Sequence, residues 1–546
     1  MCYCVCMFVA TIPNRKSPPT FLLRESYREK GQVKTRTIAN ITHWDTARIE
    51  AVRRALRGDF DGILEDRRST SGPIFGVLFV LKAIADRLGL TRALGKRHFA
   101  SLALFLILAR VAHRGSRLSA VRWAQNHAVT EILGLRSFDE DDLYATLDGL
   151  CREQERIEDT LFRDYVKKQG APPALVLYDV TSSYLEGTCN ELAAFGYDRD
   201  HKYGKMQIVI GLLTGPDGEP LSVKVYEGQT SDVDTVHDPL ETIKNRFGIE
   251  EVVFVGDRGM VKTKGKLSIK ECGFKYITAL TDPQIRKLLK SDVLQLSLFD
   301  ETIHEVQHGT LRYVLRRNDS VRSKEQRRRE DKLRKLTGLI LKRNEFVRGS
   351  KRSKPEAGLR SLTGWVQRHK LGSFVSLSLK EREIVCTIDE AAKTDAALLD
   401  GCYVIETDVS KTLMEAQAVH DRYKDLQQVE RDFRTLKTAF LEVRPIYLRN
   451  AARTKAHVFV AMLALKIVRE LRQLLVKEFG TTEQDKMALT LEDVLTHLGR
   501  LCLQIYPIRE GSSITRIPVP DDTQTKILKA IGVIWPTQIN NTRVKV

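Results

Sequence analysis

Three acidic residues stand where the surrounding pattern makes a carboxylate expensive. Asp179 lies near the end of the apolar run ALVLYDV at 174–180, and Asp257 directly follows VVFVG at 252–256. A carboxylate beside such strands is costly to bury unless it is paired or holds a cation. A lone Asp after an apolar strand commonly serves as a turn former or cap. Two in one sheet, at strand ends where α/β folds bind ligands, are more telling. The third is Glu430. Leu426, Val429, Phe433, Leu436 and Phe440 recur at helical spacing and form one apolar seam. Tyr423, Glu430 and Lys437 are seven apart and share a neighbouring stripe, which Gln427 and Arg434 widen. Glu430 is then either half of a surface Glu430–Arg434 ion pair or a metal-binding carboxylate beside two cationic phosphate clamps, Arg434 and Lys437.

Converging carboxylates suit Mg²⁺, which prefers oxygen ligands and completes its shell with water and substrate phosphates. Two such ions can stabilise both the attacking and the leaving oxygen of an in-line phosphoryl displacement. The chain has 546 residues, 42% apolar and 29% charged, with a formal net charge of +18. That excess points to a polyanionic partner, nucleic acid before membrane surface. The longest apolar stretches, Gly72–Leu81 and Ser101–Ala109, are about half the length a membrane span needs. The apolar leader Met1–Ala10 lacks the positive charge and cleavage site of a secretory signal. Nine cysteines follow no metal or disulfide spacing beyond Cys2, Cys4 and Cys6, which read as an incidental leader, so reducing cytoplasm is the expected compartment.

The elements that must position these residues can be read coarsely. Residues 1–70 form a basic N-terminal segment, and 71–170 are helical, with helices at Ser101–Ala112 and Leu143–Val166. From 171 to 280 strand-like runs at Ala174–Val180, Gln207–Thr214 and Leu221–Tyr226 precede a helix near Val233–Phe247, which Ser231 and Asp232 introduce as capping residues. The strand Val252–Gly256, a further helix and the strand Lys275–Leu280 give the order βββαβαβ, a mixed sheet covered by helices. Residues 281–399 read as an inserted subdomain. It holds a strand pair near Ile303–Arg316, a charged helix Val321–Arg343 containing Arg327-Arg328-Arg329, and strands at Phe374–Leu379 and Glu383–Ile388. That arginine run is either a solvated face or a DNA-backbone contact. Residues 400–505 resume the sheet at Cys402–Glu406 and carry the Glu430 helix, and 506–546, with Pro518, Pro520 and Pro536, read as a peripheral tail.

With these residues in view, the spacing Tyr423-x2-Leu426-x3-Glu430-x6-Lys437 resembles the Tyr-x2-Arg-x3-Glu-x6-Lys signature of a branch of bacterial insertion-sequence transposases of the DDE type. LYDVTSSYLEG at 177–187, FGYDRDHKYGKMQIVIGLL at 195–213, VYEGQTSD at 225–232, VFVGDRGM at 253–260, DGCYVIETD at 400–408 and RPIYLRNAARTKAHVFVAMLAL at 444–465 extend the resemblance from about Leu22 to Leu474. It implies an RNase H-like catalytic domain interrupted by a β-rich insertion, with Asp179, Asp257 and Glu430 holding Mg²⁺, two ions being expected and Mn²⁺ able to substitute. It further implies Tyr423 and Lys437 as contacts to the element's DNA end, hydrolysis there, and attack of the freed 3′-hydroxyl on target DNA. The partners expected are double-stranded terminal repeats and target DNA, with a homodimer in the synaptic complex and residues 72–168 as the end-recognition region. Leu426 replaces the signature Arg, so one phosphate or base contact is absent or supplied elsewhere.

Two other readings compete: a related nuclease that cuts without joining, and a DNA-binding relative with a decayed site. The presence of all three acids argues against decay. His201 reads as a surface-loop residue, and His457, four residues from Arg453, as a packing or phosphate-side residue rather than a ligand. Gly256 and Gly259 allow close backbone approach around Asp257 without forming a nucleotide-binding fingerprint.

Overall fold

A computed structural model describes residues 6–15, 17–29, 32–57, 70–197, 199, 202, 204–350, 352–437, 441–444, 446–481, 488–509 and 512–538. The chain divides into two compact units. The first begins with an antiparallel sheet of β1 (Cys6–Ile12), β2 (Thr20–Glu29) and β3 (Gln32–Asn40). The helix Thr46–Leu56 follows, its start capped by the Asp45 carboxylate accepting from Arg48 N at 2.7 Å. The basic N-terminal segment is thus a folded βββα module over its described residues. Next comes β4 (Thr70–Ile74), a strand where the composition suggests the start of a helix.

The second unit contains the helices His98–Ala112 and Glu140–Gln169, close to their expected bounds. The longer one begins in a reciprocal Asp139/Asp142 capping box and ends at Gly170 in the left-handed region. The sheet follows: β5 (Leu175–Tyr184), β6 (Gln207–Thr214), β7 (Pro220–Glu227), β8 (Val253–Gly256) and β9 (Lys275–Ala279). β5 pairs antiparallel with β6 and parallel with β8, and β8 pairs parallel with β9. The order β7-β6-β5-β8-β9 is the expected RNase H-like mixed sheet. Val176, Tyr178, Val209, Phe254 and Tyr276 bury one face of it beside Phe162 of the long helix. The predicted helix near Val233–Phe247 is a composite: a 3₁₀ turn at Asp234–Val236, α-helix at His237–Glu241 and a π turn at Thr242–Arg246.

The presumed insertion is smaller than its expected bounds. β10 (His304–His308) and β11 (Leu311–Arg317) extend the main sheet, because β11 pairs with a strand some ninety residues later. The apolar stretch Tyr313-Val314-Leu315 is buried there. The helices Asp319–Gly349 and Pro355–Arg368 and the hairpin β12 (Val375–Lys380)–β13 (Glu383–Ile388) enclose a separate core of Leu336, Ile340, Leu362, Val366, Phe374 and Ile384. Of the arginine run, Arg327 and Arg328 are exposed, whereas Arg329 pairs with Asp400 at 2.6 Å. β14 (Cys402–Thr407) returns to the sheet between β11 and β9. The helix Ala451–Phe479, buried along most of its length, packs on the two long N-terminal helices and β7.

The tail is not peripheral. β15 (Cys502–Arg509) pairs with β16 (Ser512–Arg516) and with β4, and the helix Asp522–Ile531 buries Ile527, Leu528 and Ile531. Trp535 meets the rings of Phe75 and Phe79 edge-on at 5.5 and 5.4 Å. These contacts complete the first unit. Among the described residues no single helix is long and apolar enough to cross a membrane.

Glu158, fully buried in the long helix, tests the packing of helix against sheet. It accepts from Ser222 Oγ at 2.9 Å, Gln154 Nε2 at 2.8 Å and Arg246 Nη1 at 3.1 Å. Burial outweighs these partners and raises its carboxyl above the ordinary range. A raised folded-state value means that its contribution to stability is fullest below the ordinary carboxylate pKa and is lost as pH rises through the raised one. Glu158→Gln should therefore flatten the fall in thermal midpoint across that window, as thermal melts from pH 4 upward would register.

Candidate active site

The strand register brings the two aspartates together. Tyr178 of β5 is level with Gly256 of β8, so the next residue on each parallel chain is Asp179 beside Asp257. Asp179 Oδ1 accepts the adjacent Val180 N–H at 2.8 Å. The turn after β8 is closed by Met260 and Val261 N–H groups donating to the Asp257 carbonyl.

Glu430 arrives on the helix Leu426–Lys437, which packs on β5. The predicted seam is observed: Leu426, Val429, Phe433 and Leu436 are buried and Glu430 is exposed, while Phe440 lies outside the described residues. Each buried side chain of that seam contributes roughly 1.5–3 kcal/mol as an upper figure. On the buried side Asp432 receives Arg469 Nη1 on both oxygens at 2.8 Å, tying this helix to Ala451–Phe479. The single helix expected through Tyr423 is two. Ala416–Lys424 ends at Asp425, whose carbonyl accepts from Gln428 N at 2.8 Å, and the second helix starts at Leu426. Tyr423 nevertheless reaches the site, where its hydroxyl donates to Asp257 Oδ1 at 3.3 Å.

Asp179, Asp257, Glu430, Tyr423, Arg258 and Lys424 line one cleft of about 380 Å³. Burial pushes the Asp179 carboxyl up to about 7; Asp257 and Glu430 push the same way, while the Val180 N–H and Arg199 oppose. Burial and the Asp257 charge likewise raise the Tyr423 phenol, which stays a hydrogen-bond donor. Among the described residues none of the three carboxylates makes an ion pair. Hard oxygen donors that repel one another and are held in no ion pair fit a divalent metal ion. The three are not closed into a tight shell. Among the described residues, the trio whose ligand atoms lie within 4.8 Å of one another is His237, Asp238 and Glu241, a surface group on a five-residue helix.

Arg434 and Lys437 lie one and two turns beyond Glu430 on the same helix and are not in the cleft lining, Arg434 exposed and Lys437 half-buried. Leu426, in the signature's Arg position, borders the cleft but belongs to the buried seam. The cationic lining comes instead from Arg258 and Lys424, each the chain neighbour of a residue singled out above. Asp232, expected to cap a helix, is placed differently. Its carboxylate pairs with Arg199 rather than capping a helix, and a Cβ on Gly259 would lie 3.0 Å from Asp232 Oδ2 and 3.6 Å from Asp257 Oδ2. Gly259 therefore keeps open the space between two carboxylates, and the only local signal for this was the glycine itself. His201 lies outside the described residues, as do Cys2 and Cys4, and the six cysteines from Cys151 to Cys502 are unpaired.

Among curated proteins none matches this chain. Among solved structures it is similar to a piggyBac transposase synaptic complex with hairpin DNA, determined by cryo-EM. The TM-score is 0.34 and the identity 11%, over 80% of this chain and 82% of that one. At the family level the matches are direct. Residues 9–65 match the N-terminal domain of the IS1634 family of transposases, and residues 170–467, more than half of the chain, match the transposase DDE domain. That family uses a divalent metal ion and binds DNA. The chain belongs to it, as a DDE-type transposase of an insertion sequence.

Proposed function

We propose that Asp179, Asp257 and Glu430 are the catalytic carboxylates that cut the ends of the element and support strand transfer. The observation that carries this reading is their shared cleft, built from β5, the turn after β8 and the Leu426–Lys437 helix. The three would hold Mg²⁺, two ions being expected, with Mn²⁺ a workable substitute. Bound there, such ions supply Lewis acidity and an activated water to an in-line phosphoryl displacement.

The chain's own residues do the rest. Tyr423 lines the cleft and holds the Asp257 carboxylate by its 3.3 Å hydrogen bond. Arg258 and Lys424 offer cations to the phosphates of the reacting strand, taking over the contact that Leu426 cannot make. Arg434 and Lys437 continue a basic track along the helix beyond Glu430. The substrates are the double-stranded terminal repeats and then target DNA, and bringing two ends together calls for a homodimer.

End-bearing duplex incubated with a target plasmid and Mg²⁺ tests the reading. Cutting with joining supports it. Cutting alone would reduce the protein to a nuclease, and binding with neither would make it an inactive relative. Arg434→Ala and Lys437→Ala should each weaken duplex binding and reduce the slope of log affinity against log salt by about one. An unchanged slope in fluorescence-anisotropy titrations would put those side chains away from DNA.

A further inference from the structure

A second polar site lies in the helical part of the second unit, outside the carboxylate cleft. Its elements are the helices His98–Ala112 and Arg117–Ala124, bent 94° apart by the loop between them. In that loop Arg114 takes a positive φ of 63°. A Cβ on Gly115 would stand 2.6 Å from His113 Nε2 and 2.8 Å from Ser119 Oγ, so a side chain there would displace the ring or the hydroxyl that line the turn.

Under this turn two arginines converge. Arg110, only 8% exposed, donates to the Arg114 carbonyl at 3.2 Å. Arg117 donates from Nη2 to His457 Nδ1 at 2.7 Å, and its buried Nε has no partner. The histidine's role follows from its other nitrogen: Nε2 donates to the Val443 carbonyl at 3.2 Å, which leaves Nδ1 to accept. Burial holds His457 well below its ordinary pKa, in keeping with that neutral form. His457 is thus a packed support for Arg117, as its sequence position suggested.

Neither arginine makes an ion pair among the described residues. The acid that acts on Arg110, Glu442, is exposed and not in contact. Arg110, Arg117, His113 and Ser116 line a small hollow floored by Leu106 and Ala120, with no carboxylate in its wall. It has room for one water-sized atom, about 10 Å³ for its centre. Two half- to fully-buried guanidinium groups side by side repel one another and lose hydration. What offsets this is an anionic oxygen accepting from both, the geometry in which arginine binds phosphate. A water molecule fits the size, but its two lone pairs would bring no counter-charge.

We infer that this hollow is a phosphate-binding site that seats one phosphoryl oxygen between Arg110 and Arg117. Its source in this protein is a backbone phosphate of the bound DNA, and free inorganic phosphate carries the same chemistry.

Inorganic phosphate added to the full chain at constant ionic strength should raise the thermal midpoint and slow hydrogen exchange across residues 113–120, with chloride at equal strength doing neither. Arg117→Gln should abolish both responses, reduce affinity for end-bearing duplex about tenfold and reduce the salt slope by about one. Arg117→Lys, which keeps the charge and loses the fork, should retain the slope and lose part of the affinity. Phosphate responses with unchanged DNA affinity in Arg117→Gln would assign the site to the free anion. No phosphate response in the wild-type protein, together with wild-type DNA affinity and slope in a folded Arg117→Gln, would overturn the inference. None of these readouts depends on cleavage, so they stand apart from the fate of the carboxylate cleft.

Discussion

Asp179→Asn and Glu430→Gln should each reduce end cleavage by at least about 10³-fold, a loss of roughly 4 kcal/mol of transition-state stabilisation, while duplex binding survives. Both changes keep the shape of the side chain and remove the charge that would hold a cation. The two positions should differ in stability. Asp179 is half-buried beside other acids, and the loss of hydration lifts its carboxyl to about 7. In its ionised form at neutral pH it therefore weakens the metal-free fold, and Asn relieves that cost. Asp179→Asn should melt at or above the wild-type temperature, while exposed Glu430→Gln should leave the melt unchanged. A dead enzyme that is no less stable is the signature of a site residue rather than a packing residue. Normal turnover in either variant would end its assignment as a metal ligand.

Arg469→Ala should act through stability instead. Asp432 is 4% exposed and depends on Arg469 Nη1 for both of its oxygens, while Arg469 Nη2 donates to the Asp217 carbonyl at 2.8 Å. Removing the guanidinium strands a buried carboxylate, at about 3–5 kcal/mol. The Leu426–Lys437 helix loses its tie to Ala451–Phe479, so Glu430 loses its fixed position and cleavage falls with it. The double variant Arg469→Met/Asp432→Leu should recover most of the lost stability, because two apolar side chains leave nothing unpaired. Thermal melts of the single and double variants decide the matter. A single variant that melts with the wild type would mean the pair does not brace this helix.

The parts of the site written in local pattern were legible. Apolar strands ending in Asp179 and Asp257, and a seam at helical spacing with Glu430 beside it, depend on neighbours within a few residues. The misread parts depend on partners far along the chain. β11 joins the main sheet because β14 is waiting for it, and nothing inside Ile303–Arg316 says so. Pro518 and Pro520 suggested a loose tail, yet Ile527, Leu528 and Trp535 are buried or packed against aromatic rings from residues 75 and 79. Asp232 followed capping chemistry on paper, but Arg199 draws its carboxylate elsewhere. Arg258 and Lys424 stood next to recognised residues and had no periodic signal of their own.

The pairing of β4 with β15 has a consequence for how the molecule is made. Ile74 aligns with Cys502 and Thr70 with Ile505, so this small sheet joins a strand made before the RNase H-like sheet to one made after it. Every strand of the RNase H-like sheet, by contrast, has been synthesised once β14 is out. Loop closure over such a span is slow compared with local pairing. The main sheet can therefore assemble on the nascent chain while β4 still awaits its partner.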